Sequence, residues 1–448
     1  MSPALFRERF GKLSLAILVF SAVFFFFPGP RGLFSGVPGA VSSPKAGEAG
    51  EAAPGLSETE TRELREALDG ILRSKVEEGE FVGAVLLVRK DGLPVYGGAA
   101  GMADREAGKP MRIDSVFRLA SVSKAFTTMA AGVLVSRGLL DPESPVGDFL
   151  EAFGEGNPEL GDKRALDMKV SHLLSHSAGL KYSFGEEAGE PYRSAGVSNG
   201  CESVPGLTLE ENIRRIAKAP LSHAPGADHV YSVASDVLGA VVAKVRGKSL
   251  PETMDELVLG PLGISDVGYV AKDPGALTAH YRHARPRPKR MSDPERFGLP
   301  TGGALVLSPG RALRTDEFPS GGCGMVGSAP SVMKLLEAVR TRGGGIVAPE
   351  TMESFWKDAV APARPSPGEG FGAGWGVVLD PAEAGLPVSP GTLRWGGVYG
   401  HNWYVDPKNG ITVVLLTNTA LRGFSGNTKK LVLEEIYERF PADAAASE

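Results

Sequence analysis

The two ends of the chain carry matching patterns, and that match constrains the fold more than any other feature. Near the start, Ser57 and Glu60 have the spacing of a capping box. Leu64, Leu68, Ile71, Leu72 and Val76 then recur on one face of the helix it opens. Two strand patterns follow, Val82 to Val88 and Leu93 to Gly98, around an Asp91-Gly92 turn. At the far end, Trp403 to Val405 and Ile411 to Leu416 flank a Pro407-Lys408-Asn409-Gly410 turn, and Thr428 to Phe440 reads as a closing helix. Between them the chain is mainly helical and loop-rich, from about Ser121 to Arg290. The economical solution is an antiparallel sheet shared by both ends and flanked by helices, with the middle inserted. The expected fold class is α/β in content, of the α+β kind. Residues 57–120 and 300–448 form its sheet region and 121–299 a mainly helical region.

The 448 residues are 42% hydrophobic and 23% charged, the balance of a globular enzyme. The 59 glycines and 34 prolines follow no period, which excludes collagen-like and repeat architectures. With 48 basic against 53 acidic residues and no long run of either sign, nothing advertises a nucleic-acid partner. The clearest basic stretch, Arg282 to Arg290, is broken by prolines and reads as a solvated loop. Arg7, Arg9 and Lys12 precede an apolar run from Leu13 to Phe27. That length fits a signal-peptide core and falls short of the ~20 residues that span a bilayer. Pro38 sits badly before a cleavage site at Ala40, so residues 1–27 read as a signal peptide or as a membrane anchor. Export to the periplasm or outside, or tethering through the N-terminus, is expected. Residues 28–56, rich in Gly, Pro, Ala and Ser, form a linker. Cys201 and Cys323 are too few for a disulfide scaffold or a four-cysteine zinc site; one bridge and two buried thiols are equally open.

Two kinds of nucleophile pattern occur. Gly196-Val197-Ser198-Asn199-Gly200 matches G-x-S-x-G, but that elbow needs a strand before it and a helix after it. Neither is legible around Ser198, so the elbow is rejected. The S-x-x-K pattern, which puts a lysine one helical turn from a serine, occurs four times: Ser42/Lys45, Ser121/Lys124, Ser331/Lys334 and Ser354/Lys357. Ser42 falls in the linker, and Ser331 and Ser354 belong to ordinary amphipathic stretches. Ser121 follows an apolar strand-like run and opens a long apolar helix. There the helix dipole and a free N–H favour an oxyanion, and Lys124 would be desolvated enough to act as a base. A plain N-cap serine with a snorkelling lysine explains the local pattern equally well.

The wider sequence weighs in. FRLASVSKAFTTMAAGVLVSRGLLDPESPV, starting at Phe117, resembles the active-site segment of the serine β-lactamase and penicillin-binding superfamily. Further similar landmarks follow in the same order: Ser171 to Leu180, His223 to Leu250, Pro261 to Ile264, Pro319 to Gly327 and Trp395 to Gly400. The resemblance spans roughly residues 60 to 440. Within the superfamily the usual Tyr-x-Asn is Tyr231-Ser232-Val233, and the usual Lys-Thr-Gly is Trp395-Gly396-Gly397. Losing that lysine and threonine removes the carboxylate-binding groups of the β-lactam and peptide enzymes, and an apolar wall suits a neutral ester. This combination resembles the class C β-lactamase-like carboxylesterases known as family VIII.

The resemblance implies Ser121 as the acylated nucleophile, Lys124 as its neighbouring base and Tyr231 as proton relay. It also implies an oxyanion hole from the N–H groups of Ser121 and Val398, and a substrate wall at Trp395, Gly396 and Gly397. The expected function is hydrolysis of short-chain carboxylic esters of small molecules through an acyl-Ser121 intermediate, with no cofactor. The alternatives are a class C-type β-lactamase or D-alanyl-D-alanine peptidase, an acyltransferase on the same scaffold, or a non-catalytic surface protein. His172 and His176 share a helix spacing but have no third ligand nearby, so no metal is expected. His401, just past the third motif, stays unassigned.

Overall fold

The computed structural model describes residues 52–184, 189–299, 303–422 and 426–442. The apolar N-terminal segment and nearly all of the linker lie outside the described residues. Helix α1 (Glu58–Glu77) opens with both arms of the Ser57–Glu60 capping box in place. The hairpin of β1 (Gly83–Lys90) and β2 (Leu93–Asp104) follows, then β3 (Lys109–Pro110) and β4 (Val116–Arg118). Helices α2 (Ser123–Ser136) and α3 (Ala234–Arg246) come next, and β5 (Val326–Ser328) runs into helix α4 (Ala329–Arg340). Strands β6 (Glu369–Phe371), β7 (Gly376–Val378), β8 (Leu393–Gly397), β9 (His401–Asp406) and β10 (Ile411–Thr417) lead to helix α5 (Thr428–Arg439).

Both chain ends meet in one antiparallel sheet of order β6-β7-β8-β9-β10-β1-β2-β3. β10 lies directly on β1, with Val85 opposite Leu416 and Leu87 opposite Val414. The two-residue alternation of these strands splits the interior into two cores. Ala84, Leu86, Val88, Val413 and Leu415 face outward, where Leu64, Leu68 and Leu72 of α1 and Val432, Leu433 and Ile436 of α5 cover them. Val85, Val414 and Leu416 face the larger core, shared with α2, α3 and α4. α2 is buried from Ser123 to Leu134, so it runs through this core rather than along its surface.

One expectation needs correction. Short strand pairs lie in and beside the region 121–299: Tyr281–Arg282 pairs with Lys289–Arg290, and Glu295–Gly298 pairs with Ala304–Leu307. The basic stretch is therefore a hairpin rather than a free loop. Arg282 meets Glu295 at 2.9 Å and Arg290 meets Asp104 at 2.7 Å, so both cations are partnered. Strands this short leave no readable alternation. The cysteines do pair, Cys201 with Cys323, closing a span of 122 residues. Among the described residues no helix is long and apolar enough to cross a membrane.

Candidate active site

The site is assembled where β4 gives way to α2. β4 pairs with β5, and Leu119 N–H continues that ladder to Met325 O at 2.9 Å. The chain then breaks sharply: Ala120 has φ +47°, a conformation that disfavours a side chain, before a single 3₁₀ turn, Ala120–Val122, carries Ser121 into α2. The sheet holds this bend from the other side. His401 Nε2 lies 2.7 Å from Arg118 O while Thr417 N–H donates to Nδ1, which fixes the proton on Nε2. Burial pushes the His401 pKa down to about 4, so the ring stays neutral. Gly397 lets β8 come this close, because a Cβ there would sit 2.7 Å from Leu119 O.

Ser121, Lys124 and Tyr231 meet at one point. Tyr231 donates its hydroxyl to Ser121 Oγ at 2.9 Å, and Lys124 Nζ reaches the same oxygen at 3.3 Å. Lys124 is 1% exposed and donates also to Gly322 O at 2.7 Å, with Nζ 4.9 Å from the Tyr231 ring centre. Tyr231 lies just before α3 and is held by a second strained residue. His176, at φ +53°, accepts the Ser232 N–H on Nδ1, and its ring centre lies 4.8 Å from that of Tyr231. Burial, with the Lys124 charge, keeps His176 neutral.

Trp395 stands 5.0 Å from Tyr231, ring to ring, with Phe371 edge-on behind it at 5.2 Å. Tyr182, stacked on Phe184, closes the other side at 5.4 Å from Tyr231. The result is an aromatic wall around one hydroxyl. Val398 follows β8, and neither its N–H nor that of Ser121 has a hydrogen-bond partner among the described residues. Val233 is buried in the core below α3. Gly396 and Gly397 end β8 opposite Asn402 and His401.

The rejected patterns are placed elsewhere. Ser198 is buried, and its hydroxyl accepts Gly200 N–H. Ser331 donates to Asp266, Lys334 to Gly263 O and Ser354 to Thr351 O; Ser42 lies outside the described residues. His172 accepts Lys169 N–H, as His176 accepts Ser232 N–H, and among the described residues no cluster could hold a metal ion.

Sequence reading missed Tyr182, Phe371, Gly322 and Asp236. Only Asp236 left a signal, an acid in the apolar run from Ala234 to Ala243; the others come from distant loops and strands that the fold alone brings in.

Comparison with known proteins places the chain among related sequences and folds. The chain is 42% identical over 381 residues to "Esterase EstB" of Burkholderia gladioli, covering 84% of this chain and 96% of that protein. It is 26% identical over 334 residues to "Monacolin J acid methylbutanoyltransferase" of Aspergillus terreus, covering 67% of this chain and 76% of that one. Among solved structures, "EstCE1, a hydrolase with promiscuous acyltransferase activity" superposes with a TM-score of 0.80 at 38% identity, covering 84% of this chain and 99% of that chain. The Beta-lactamase family profile matches residues 68–437, and the chain belongs to that family.

Proposed function

We propose that the protein is a serine carboxylesterase that cleaves short-chain esters through an acyl-Ser121 intermediate. The observation that carries this reading is the convergence of Tyr231 OH and Lys124 Nζ on Ser121 Oγ, at 2.9 and 3.3 Å. Ser121 Oγ attacks the ester carbonyl carbon and gives its proton to the Lys124–Tyr231 pair. The carbonyl oxygen becomes an oxyanion held by the Ser121 and Val398 N–H groups. Collapse of the tetrahedral intermediate breaks the ester bond, and the pair returns the proton to the departing alcohol. Water repeats the sequence on the acyl-enzyme and releases the acid. Trp395, at the position where the β-lactam enzymes carry Lys-Thr-Gly, gives the site an apolar wall that suits a neutral ester. The esterase named for a 42% identical relative supports the same chemistry.

A second reading is acyl transfer to a small alcohol, favoured by the activities for which two relatives are named. It changes only the acceptor in the last step. We also propose export through the apolar N-terminal segment, as a cleaved signal peptide or a retained anchor. The Cys201–Cys323 bridge supports export, since disulfides persist in oxidising compartments.

The test compares wild type with Ser121→Ala on p-nitrophenyl butyrate and a chromogenic cephalosporin. Loss of ester turnover in the variant, with little cephalosporin cleavage by wild type, is expected. Efficient cephalosporin cleavage would return the site to the β-lactamases. A raised yield of transesterified product when an alcohol is added would favour the acyl-transfer reading.

A further inference from the structure

Asp236 lies in the first turn of α3, fully buried, five residues beyond Tyr231. Its Oδ1 accepts the Ser320 hydroxyl at 2.6 Å and the Gly322 N–H at 3.2 Å. Both donors belong to one tight turn. Gly324 N–H bonds Ser320 O and Cys323 N–H bonds Ser320 Oγ, each at 3.0 Å, and the disulfide ties Cys323 to Cys201. That turn presents Gly322 O to Lys124 Nζ at 2.7 Å. It also packs on α3 without room for side chains, since a Cβ on Gly321 would lie 2.5 Å from Ser235 O.

The second carboxyl oxygen is the unusual one. Asp236 Oδ2 has no hydrogen-bond partner among the described residues. A Cβ built on Gly322 would sit 3.2 Å from this oxygen and 3.4 Å from Lys124 Nζ, so the two atoms border the same small space. Burial pushes the carboxyl pKa up, while the Ser320 bond, the Lys124 charge, the Gly322 N–H and Arg311 act the other way. A buried carboxyl with one oxygen unpartnered is costly to keep for packing alone. Its surroundings give it a purpose at the lysine.

We propose that Asp236 is a positioning residue for the reaction at Ser121, fixing Lys124 by gripping the Ser320–Gly324 turn and by setting a carboxyl opposite Nζ. The inference rests on the reading of Ser121 and Lys124 as the reacting pair. Asp236→Asn keeps the Oδ1 acceptor and the shape but removes the charge. Ser320→Ala keeps the carboxyl but removes one bond to the turn.

The test measures ester kcat and KM, the rate at which a fluorophosphonate labels Ser121, and the melting temperature, in wild type and both variants. Asp236→Asn is expected to lower kcat and the labelling rate together by about 10²-fold, the scale of a small misplacement at a reacting group, with KM within about twofold. Ser320→Ala should lower the same two rates by about tenfold or less. Wild-type labelling and turnover in Asp236→Asn would overturn the proposal. So would a rise in KM with labelling unchanged, or a wild-type labelling rate in Ser320→Ala should Asp236→Asn fail to fold. Failure of the underlying reading looks different: wild type itself would carry no label on Ser121.

Discussion

Ser121/Lys124 and Ser331/Lys334 share a four-residue pattern and nearly the same address. β4 and β5 pair with each other, and each leads within a few residues to its serine, Ser121 just before α2 and Ser331 in the first turn of α4. Beyond that they diverge. Lys124 is buried beneath the aromatic ring of Tyr231 and reaches Ser121 Oγ, whereas Lys334 sits at the surface on Gly263 O and Ser331 is taken up by Asp266. Spacing alone makes neither a nucleophile nor a base. The surroundings differ: Lys124 is buried, and a phenol from 110 residues away meets Ser121 Oγ.

The comparison can be broken most directly at the serines. Ser121→Ala should lower ester kcat/KM by at least about 10⁴-fold, and Ser331→Ala should leave it within about twofold, in steady-state assays on p-nitrophenyl butyrate. The next largest contrast is between the lysines. Lys124→Met and Tyr231→Phe should each lower kcat by about 10²–10⁴-fold, the range for a lost proton-transfer group, while Lys334→Met stays near wild type. Equal losses at both lysines would mean that the burial difference has no functional weight.

The turn beside Lys124 carries a further difference, and stability reads it. Only the turn next to Lys124 is cross-linked, through Cys323. Replacing Cys201 and Cys323 by serine should cost about 2–5 kcal/mol in denaturant unfolding, as expected for a bridge across a long loop. Ester kcat should fall with it, because Gly322 adjoins the bridge.

The smallest effect concerns His401, which braces the Ser121 bend. Its folded pKa of about 4 lies below the ordinary 6.5, so the unfolded chain binds the proton first as pH falls. The stabilisation is complete above about pH 6.5 and declines toward pH 4, by about 1.4 kcal/mol per pH unit for this ring. Melting temperature should therefore fall between pH 7 and pH 5, and less steeply in His401→Gln.

These contrasts also mark what the sequence could tell. The matching ends, the capped α1, the β1–β2 hairpin and α5 are local patterns, and each appears close to where periodicity put it. The Ser121–Lys124 spacing is local too, but three other pairs share it, and the ordered landmarks single this one out. Tyr231 was reached only through ordered landmarks, since nothing local separates it from a core aromatic. The Ser320–Gly324 turn falls within the landmark Pro319 to Gly327, whereas Tyr182 and Phe371 reach the site through tertiary contacts that no spacing encodes. The backbone strain at Ala120 and His176 was equally invisible, since neither residue is a glycine that would announce it. The hairpin at 281–290 was lost because two-residue strands have no period.

The most direct measurement is to acid-quench the enzyme during turnover of p-nitrophenyl butyrate and map the butyryl group by peptide mass spectrometry. The acyl group is predicted on the peptide that carries Ser121 and Lys124. Its recovery on the Ser331 peptide or the Ser198 peptide, or turnover with no acyl-enzyme at any serine, would contradict the account.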